Sequence, residues 1–232
     1  MKKKYQLFLI PYAGGDSYSF TELIQFLPEY INPTTIEYPG RGKRIEESYA
    51  PTFSMLIEDV VSQIERNIIK GMPIAILGYS MGAIIAYEIV RKNLIHTNIY
   101  HLFLCAQGDI RCDLQIQNIN LLNADEMIRY VEKLGGININ ILKNKRFLMA
   151  MIKPLQHDYI LRAQYKFEGD LKQKLNCNIT ILYSPQDISS EHILGWKDLI
   201  EDTIDIIKIG TNHFFIKEDP QNISDIIVQK LS

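Results

Sequence analysis

The chain has 232 residues, of which 47% are hydrophobic and 22% charged, and its formal net charge is −2. This composition supports a large buried core and excludes both intrinsic disorder and non-specific binding to nucleic acid. A chain of this length is predicted to form one domain, residues 1–232, around a single core.

Six short runs rich in β-branched and aromatic residues are predicted to be strands, at 5–10, 34–38, 73–77, 100–105, 179–183 and 204–209. Most of them are apolar on both faces, which is typical of central strands in a parallel sheet. Amphipathic helical patterns lie between the runs, as in successive βαβ units. The pattern therefore predicts an α/β fold with a mostly parallel central sheet and flanking helices.

The chain has no pattern typical of a secretory or membrane-spanning segment. The first apolar run stops at Pro11, before it reaches the length of a signal sequence. The apolar region 73–90 is interrupted by glycines and carries Glu88. The three cysteines are odd in number and form no C-x-x-C pair, so neither a disulfide framework nor a thiolate zinc site is indicated. We therefore predict a cytoplasmic protein that does not contact a membrane.

The connection from 106 to 178 is too long for a simple crossover between two strands. It contains a helix of its own, which is predicted to begin at a capping box formed by Asn123 and Glu126 and to end at Gly135. The sequence therefore predicts that residues of about 110–168 form a helical lid inserted into the domain.

The motif G-Y-S-M-G, residues 78–82, lies between a predicted strand and a predicted helix. By itself the motif is weak, because it also fits a plain turn with a serine facing water. The strand–turn–helix context is that of a nucleophile elbow, in which the glycines let strand and helix approach closely. We therefore predict that Ser80 is a nucleophile and that the N–H of Met81 faces a developing oxyanion.

A serine hydroxyl needs a histidine base oriented by a carboxylate, and in this context the chain order is serine, acid, histidine. His213 follows the last predicted strand and is the predicted base. His192 lies in a helical pattern and is predicted to face solvent, while His157, in the lid, could touch substrate but is interpreted as structural. Asp187 and Asp109 each follow a predicted strand and compete for the role of the acid. We favour Asp187, because it precedes the strand that leads to His213, and we keep Asp109 as the alternative.

The loop after the first strand, I-P-Y-A-G-G-D-S, is expected to supply the second oxyanion donor. Gly14 and Gly15 would allow the backbone to lie close to a ligand, and the N–H of Ala13 is the predicted donor. Without the serine motif, the same glycines would fit an ordinary turn. We find no metal-binding constellation and no dinucleotide signature, so no cofactor is predicted.

Several motifs follow one another along nearly the whole chain: P-Y-A-G-G (11–15), Y-P-G-R-G (38–42), G-Y-S-M-G (78–82), L-G-G (134–136), Asp158-Tyr159 and H-F-F (213–215). With these motifs the chain resembles the type II thioesterases of nonribosomal peptide and polyketide synthesis, and P-G-R-G is the most specific of them. The resemblance implies an α/β-hydrolase fold. It also implies hydrolysis of stalled or misprimed acyl and aminoacyl thioesters on the phosphopantetheine arm of carrier proteins, which would be the partners of a monomeric enzyme.

The resemblance also implies roles for individual residues. Ser80, Asp187 and His213 match the catalytic triad of the family, and Met81 and Ala13 match its oxyanion pair. These are the same residues that the analysis of the motifs favours.

Three departures from the usual pattern of that family involve four residues. Tyr79 stands where the family usually has histidine, and Asn212 stands where it usually has glycine. Gln156 and His157 stand where an Arg-Ala pair usually precedes the aspartate of the lid. The first two departures bear on the geometry near the triad, and the third bears on the lid and hence on the choice of substrate.

Two alternative functions remain open at this point. An acyl-CoA thioesterase or a small-molecule carboxylesterase would use the same triad. A protein that only binds carriers and has lost catalysis would keep the fold, but the intact triad residues argue against it. A basic cluster of Arg41, Lys43 and Arg44 would attract an anionic partner, such as the phosphate of a carrier arm, or would simply form a solvated loop.

Overall fold

The computed structural model describes residues 4–111, 123–135, 145–171, 174–201 and 204–232. The described residues form six strands: β1 Tyr5–Ile10, β2 Ile31–Thr35, β3 Ile74–Tyr79, β4 Ile99–Cys105, β5 Ile179–Tyr183 and β6 Ile204–Lys208. They make one sheet in the order β2-β1-β3-β4-β5-β6, and every pairing of neighbours is parallel. The predicted α/β fold with a parallel central sheet is confirmed.

The second strand lies earlier in the chain than predicted, at Ile31–Thr35 instead of 34–38. The strand contains Pro33, which has no N–H to donate. A proline is tolerated there because β2 is an edge strand. The apolar pattern that suggested 34–38 comes from Ile36 and Tyr38, which are buried in the segment that follows β2.

The helices in the described ranges are α1 Thr21–Phe26, α2 Phe53–Asn67, α3 Met81–Arg91, α4 Ala124–Lys133, α5 Lys145–Gln164, α6 Ser190–Leu194, α7 Phe215–Glu218 and α8 Pro220–Leu231, with short 3₁₀ turns at Gly42–Arg44 and Gly195–Asp198. The predicted start of α4 is confirmed, since Asn123 and Glu126 exchange the reciprocal hydrogen bonds of a capping box. Its predicted stop is confirmed by Gly135, whose φ of 82° suits glycine.

The sheet separates two apolar clusters. Neighbouring residues of β1 alternate between them, with Phe8 and Ile10 in one cluster and Leu7 and Leu9 in the other. Helices α2 and α3 cover the first cluster, while α1 and α8 cover the second. Burial of each large apolar side chain contributes about 1.5–3 kcal/mol, so these two layers stabilise the sheet from both sides.

The strand order creates a crevice at one edge of the sheet. After β1 the chain moves outward to the edge strand β2 and then returns to β3 on the other side of β1. The loops that follow β1 and β3 therefore start side by side and lead to opposite sides of the sheet order. Ligands of open parallel sheets bind in the crevice at such a point. Ile10 pairs with Gly78, so the loop after β1 and Ser80 leave the sheet side by side.

Helices α4 and α5 lie between β4 and β5, within the range predicted to form the lid. Residues 112–122 and 136–144 of that range, including Cys112 and Gly136, lie outside the described residues. Cys105 and Cys177 are free thiols. No helix in the described ranges combines the length and the hydropathy that crossing a bilayer requires.

Candidate active site

Ser80 occupies a strained turn between β3 and α3. Its φ of 53° and ψ of −116° lie outside the regions that residues with a side chain normally adopt. The Ser80 N–H donates to the Cys105 carbonyl at 2.7 Å and holds the turn against β4. A Cβ at Gly78 would overlap the backbone of Gly82, and one at Gly82 would overlap the Ile10 carbonyl. Both glycines are therefore required by the close approach of strand and helix.

His213 and Asp187 lie beside this serine. His213 is in the loop between β6 and α7, and its Nε2 lies 3.0 Å from Ser80 Oγ. Its Nδ1 lies 2.7 Å from Asp187 Oδ2, and Asp187 follows β5. The two side chains are only 13% and 10% exposed. With a proton on Nδ1 the ring donates to the carboxylate, and Nε2 is then free to accept the hydroxyl proton of the serine.

The alternative acid, Asp109, is engaged elsewhere. Its carboxylate accepts hydrogen bonds from the backbone N–H and from Nε of Arg111, at 2.9 Å and 2.6 Å. The Asp109 N–H donates to the carbonyl of His192 at 2.9 Å. The geometry therefore favours Asp187 over Asp109 as the partner of His213.

The loop after β1 forms a tight turn next to the serine. The Gly15 N–H donates to the Tyr12 carbonyl at 2.9 Å, and the φ of Gly14 is 76°, as in a type II turn. Ala13 lies in this turn and lines the same cavity as Ser80 and Met81. Met81 is the first residue of α3, so its N–H has no acceptor within the helix and lies at the positive end of the helix dipole.

Ser80 opens into a cavity of about 370 Å³ that is bounded by α4 and α5. Tyr130 of α4 and Tyr159 of α5 line it, with their rings edge to face at 5.6 Å. Arg162 of α5 adds a positive charge to the lining, and His192, which was predicted to face solvent, also lines the cavity. Burial raises the pKa of Tyr159 well above its ordinary value, so its phenol stays neutral.

Tyr79, the first departure from the family pattern, supports the loop that carries the histidine. Its hydroxyl donates to the His213 carbonyl at 2.7 Å and accepts the Ile216 N–H at 3.2 Å. Its side chain is fully buried, and burial raises its pKa well above the ordinary value, so the phenol remains a hydrogen-bond donor. The hydroxyl of Tyr79, at the end of β3, therefore holds the backbone of both His213 and Ile216.

We expect Tyr79→Phe to lower kcat about tenfold with little change in KM, because the loss of both hydrogen bonds frees the backbone of His213. Steady-state hydrolysis of an acyl-pantetheine thioester measures the effect. Tyr87→Phe is the matched control, since Tyr87 is also buried but its hydroxyl has no partner among the described residues. Equal effects of the two substitutions would contradict a specific role of Tyr79.

The other two departures are accommodated by local contacts. The side chain of Asn212 accepts the Phe214 N–H at 2.6 Å and also donates to Glu218, which stabilises the loop that leads to α7. His157 stacks on Tyr49, with ring centroids 4.7 Å apart, and its structural interpretation is thereby confirmed.

The basic cluster was open to two interpretations, an anionic contact and a solvated loop, and its two arginines are both paired with carboxylates. The side chain of Arg41 is only 5% exposed and forms an ion pair with Asp158. Arg44 is paired with Glu47 and Asp59. For Arg41 both interpretations are wrong, because its side chain is buried against a carboxylate. For Arg44 the geometry favours the solvated loop over an anionic contact, because Glu47 and Asp59 already compensate its charge.

The parallel sheet, the strained serine turn at the carboxyl ends of its strands and the hydrogen-bonded serine, histidine and aspartate define the α/β-hydrolase class.

Comparison with known proteins shows which family within this class the chain belongs to. The family model of the thioesterase domain matches residues 5–231, so the chain belongs to the thioesterase domain family and is a thioester hydrolase. Gramicidin S biosynthesis protein GrsT of Aneurinibacillus migulanus is 26% identical, over 98% of this chain and 89% of its own. The medium-chain S-acyl fatty acid synthase thioesterase of Homo sapiens is 24% identical, over 94% of this chain and 84% of its own.

The fold is also found in solved structures. The crystal structure of ClbQ from the colibactin NRPS/PKS pathway matches with a TM-score of 0.89 at 23% identity, over 99% of this chain and 97% of ClbQ. At this level of identity the likeness bears on the fold.

Proposed function

We propose that the protein is a type II thioesterase that removes stalled or misprimed acyl and aminoacyl groups from the phosphopantetheine arm of carrier proteins. The observation that carries the proposal is the hydrogen-bonded series Ser80, His213 and Asp187, which opens into a cavity in a chain of the thioesterase family. The similarity to GrsT, which is named for gramicidin S biosynthesis, supports the choice of a carrier-bound substrate.

The first half of the reaction transfers the acyl group to the enzyme. His213 Nε2 takes the proton of Ser80 as Oγ attacks the carbonyl carbon of the thioester. The N–H groups of Met81 and Ala13 then stabilise the oxyanion of the tetrahedral intermediate. The intermediate collapses as the C–S bond breaks, and the imidazolium returns its proton to the departing phosphopantetheine thiolate.

The second half releases the acyl group to water. The same imidazole takes a proton from a water molecule, whose oxygen attacks the ester carbonyl on Ser80. Collapse of the second intermediate gives a free carboxylic acid, and the proton returns to Oγ. Asp187 holds the ring in the required tautomer and stabilises its charged form in both halves.

The helices between β4 and β5 act as a lid in this proposal, and residues 1–232 form one hydrolase domain with a lid insertion at about 110–168. The lid helices α4 and α5 contribute Tyr130, Tyr159 and Arg162 to the cavity, which is support for this role. The carrier protein delivers its arm to a monomeric enzyme, and the enzyme itself uses no cofactor.

The same chemistry would serve release of a fatty acyl group, and the similarity to the human medium-chain thioesterase favours this as a second candidate. The carrier-bound substrate itself is tested by presenting one acyl group in three ways: on a holo carrier protein, on coenzyme A and as a short oxygen ester. We expect kcat/KM for the carrier-bound thioester to be at least about tenfold higher than for the others, because only the carrier adds the contacts of a protein surface to those of the acyl group and the pantetheine arm.

Each other outcome has a distinct meaning. Equal rates with coenzyme A would replace the proposal with an acyl-CoA thioesterase, and faster hydrolysis of the oxygen ester would replace it with a carboxylesterase. A wild-type protein that does not react with a fluorophosphonate would be a non-catalytic carrier-binding protein. The Ser80→Ala variant supplies the blank for every substrate.

A further inference from the structure

A buried ion pair joins the segment after β2 to helix α5. Arg41 Nη1 and Nη2 donate to the two carboxylate oxygens of Asp158 at 2.5 Å and 2.7 Å, and the side chains are 5% and 1% exposed. Burial alone would raise the pKa of Asp158, but the hydrogen bonds from Arg41, together with the neighbouring His157, the charge of Arg41 and the Gly14 N–H, outweigh it and lower this pKa, so the pair stays charged. Apolar residues often stabilise a fold as well as such a pair does, so stability alone is a weak explanation for it.

The same two side chains hold the loop that contains the proposed oxyanion donor. The Gly14 N–H donates to Asp158 Oδ2 at 2.7 Å, and Arg41 Nη1 donates to the Gly15 carbonyl at 3.2 Å. Gly14 and Gly15 directly follow Ala13 in the turn. The ion pair therefore binds one N–H and one carbonyl of the backbone immediately after the donor.

Helix α5 brings the carboxylate and part of the cavity wall together. Tyr159 and Arg162, which line the cavity, lie next to Asp158 and one helical turn after it. Leu155, on the same helix, packs so closely that a Cβ at Gly14 would lie 2.7 Å from its Cδ1. The position of α5 over the cavity and the geometry of the loop thus depend on the same segment.

We propose that Arg41 and Asp158 are positioning residues that fix the N–H of Ala13 in the oxyanion hole. Because Asp158 belongs to α5, the oxyanion hole is complete only when this helix is seated over the cavity. A backbone donor stabilises a transition state well only if its direction is set in advance, and the two hydrogen bonds to Gly14 and Gly15 set it. The inference rests on the proposed function, since it takes Ala13 as an oxyanion donor.

The test separates positioning from stability with a double variant, Arg41→Met with Asp158→Leu. Replacing a buried ion pair by apolar residues often preserves stability, whereas Asp158→Ala leaves a buried charge without its partner. We expect Asp158→Ala to lower both Tm and kcat, and the double variant to recover Tm but to keep a loss in kcat of about 10²-fold, with KM within about threefold of wild type. The substrate is the S-acetyl thioester of N-acetylcysteamine, a mimic of the carrier arm.

Two further measurements make the result specific. An alkylthio trifluoromethyl ketone forms a tetrahedral adduct with a reactive serine, and the double variant should bind it more weakly by about the factor lost in kcat/KM. Glu88→Leu with Arg91→Met is the matched control, because this pair also has a buried carboxylate but lies near the far end of α3. We expect its kcat to stay within about twofold of wild type.

If the double variant fails to fold, Asp158→Asn replaces it, because the amide oxygen still accepts the Gly14 N–H. We then expect a loss in kcat clearly smaller than that of Asp158→Ala, and equal losses would overturn the proposal. Recovery of kcat together with Tm in the double variant, or unchanged affinity for the ketone, would also overturn it. A wild-type protein that neither hydrolyses the thioester nor binds the ketone would refute the proposed function instead.

Discussion

Replacing Ser80 with alanine is expected to lower kcat on the order of 10⁶-fold, to the rate that binding and the oxyanion donors support without a nucleophile. Alanine keeps the Cβ, so the strained turn and the approach of α3 to β3 should be unchanged. His213 would remain beside Asp187 but would have no hydroxyl to activate. Thioester hydrolysis and mass spectrometry of the trapped acyl-enzyme measure the two consequences, loss of turnover and loss of the adduct.

A second serine of the cavity provides the control for this substitution. Ser189 lines the cavity near Asp187, and its side chain caps the start of α6. Ser189→Ala should leave kcat within a few-fold of wild type and cost about 1 kcal/mol of stability through the lost cap. Turnover of Ser80→Ala at the wild-type rate would remove Ser80 as the nucleophile.

Replacing Asp187 with asparagine is expected to lower kcat by about 10³- to 10⁴-fold with little change in KM. The amide cannot stabilise the imidazolium and favours the tautomer in which Nε2 carries the proton. The size and shape of the side chain are kept, so the loss reports the charge and the hydrogen bonding of the carboxylate and not its packing. Steady-state kinetics with a carrier-bound or pantetheine thioester measure the loss.

Asp109→Asn is the comparison that decides between the two candidate acids. Asp109 is paired with Arg111 and not with His213, so its replacement should lower the melting temperature and leave kcat within a few-fold of wild type. The substitution that causes the larger loss in kcat identifies the acid. A larger loss for Asp109→Asn would contradict the assignment of Asp187.

Local sequence patterns predicted most of the strands and the ends of helix α4. Runs that are apolar on both faces indicated the strands, because a parallel strand in the middle of a sheet is buried on both sides. Asn123, Glu126 and Gly135 marked the ends of α4, because a capping box and a glycine stop satisfy backbone groups within a few residues. The second strand was misplaced, because buried apolar residues after an edge strand give the same pattern as the strand itself.

The contacts of Arg41 show where a single sequence is insufficient. The motif P-G-R-G and the lid residue Asp158 were both noted, yet Arg41 was expected either to meet an anionic partner or to lie in a solvated loop. Its partner lies 117 residues away, and nothing local to either residue indicates that they meet. The contact of Tyr79 with the His213 backbone is equally distant in sequence, 134 residues, and a tyrosine in an apolar run indicates only that it is buried.

The sequence by itself determined the order of strands and helices, the glycines of the serine turn and the residue types that hydrolysis needs, because each depends on neighbours in the chain. The tertiary structure decided which of these residues meet. The crossing from β1 out to β2 and back to β3 places the two proposed oxyanion donors on adjacent loops. The loops after β5 and β6 bring Asp187 next to His213, whereas Asp109 pairs with Arg111. In the interior, Arg41 pairs with Asp158. Such pairings depend on tertiary packing and on the free-energy cost of burying a charge without a partner. Both depend on residues that are distant in the chain.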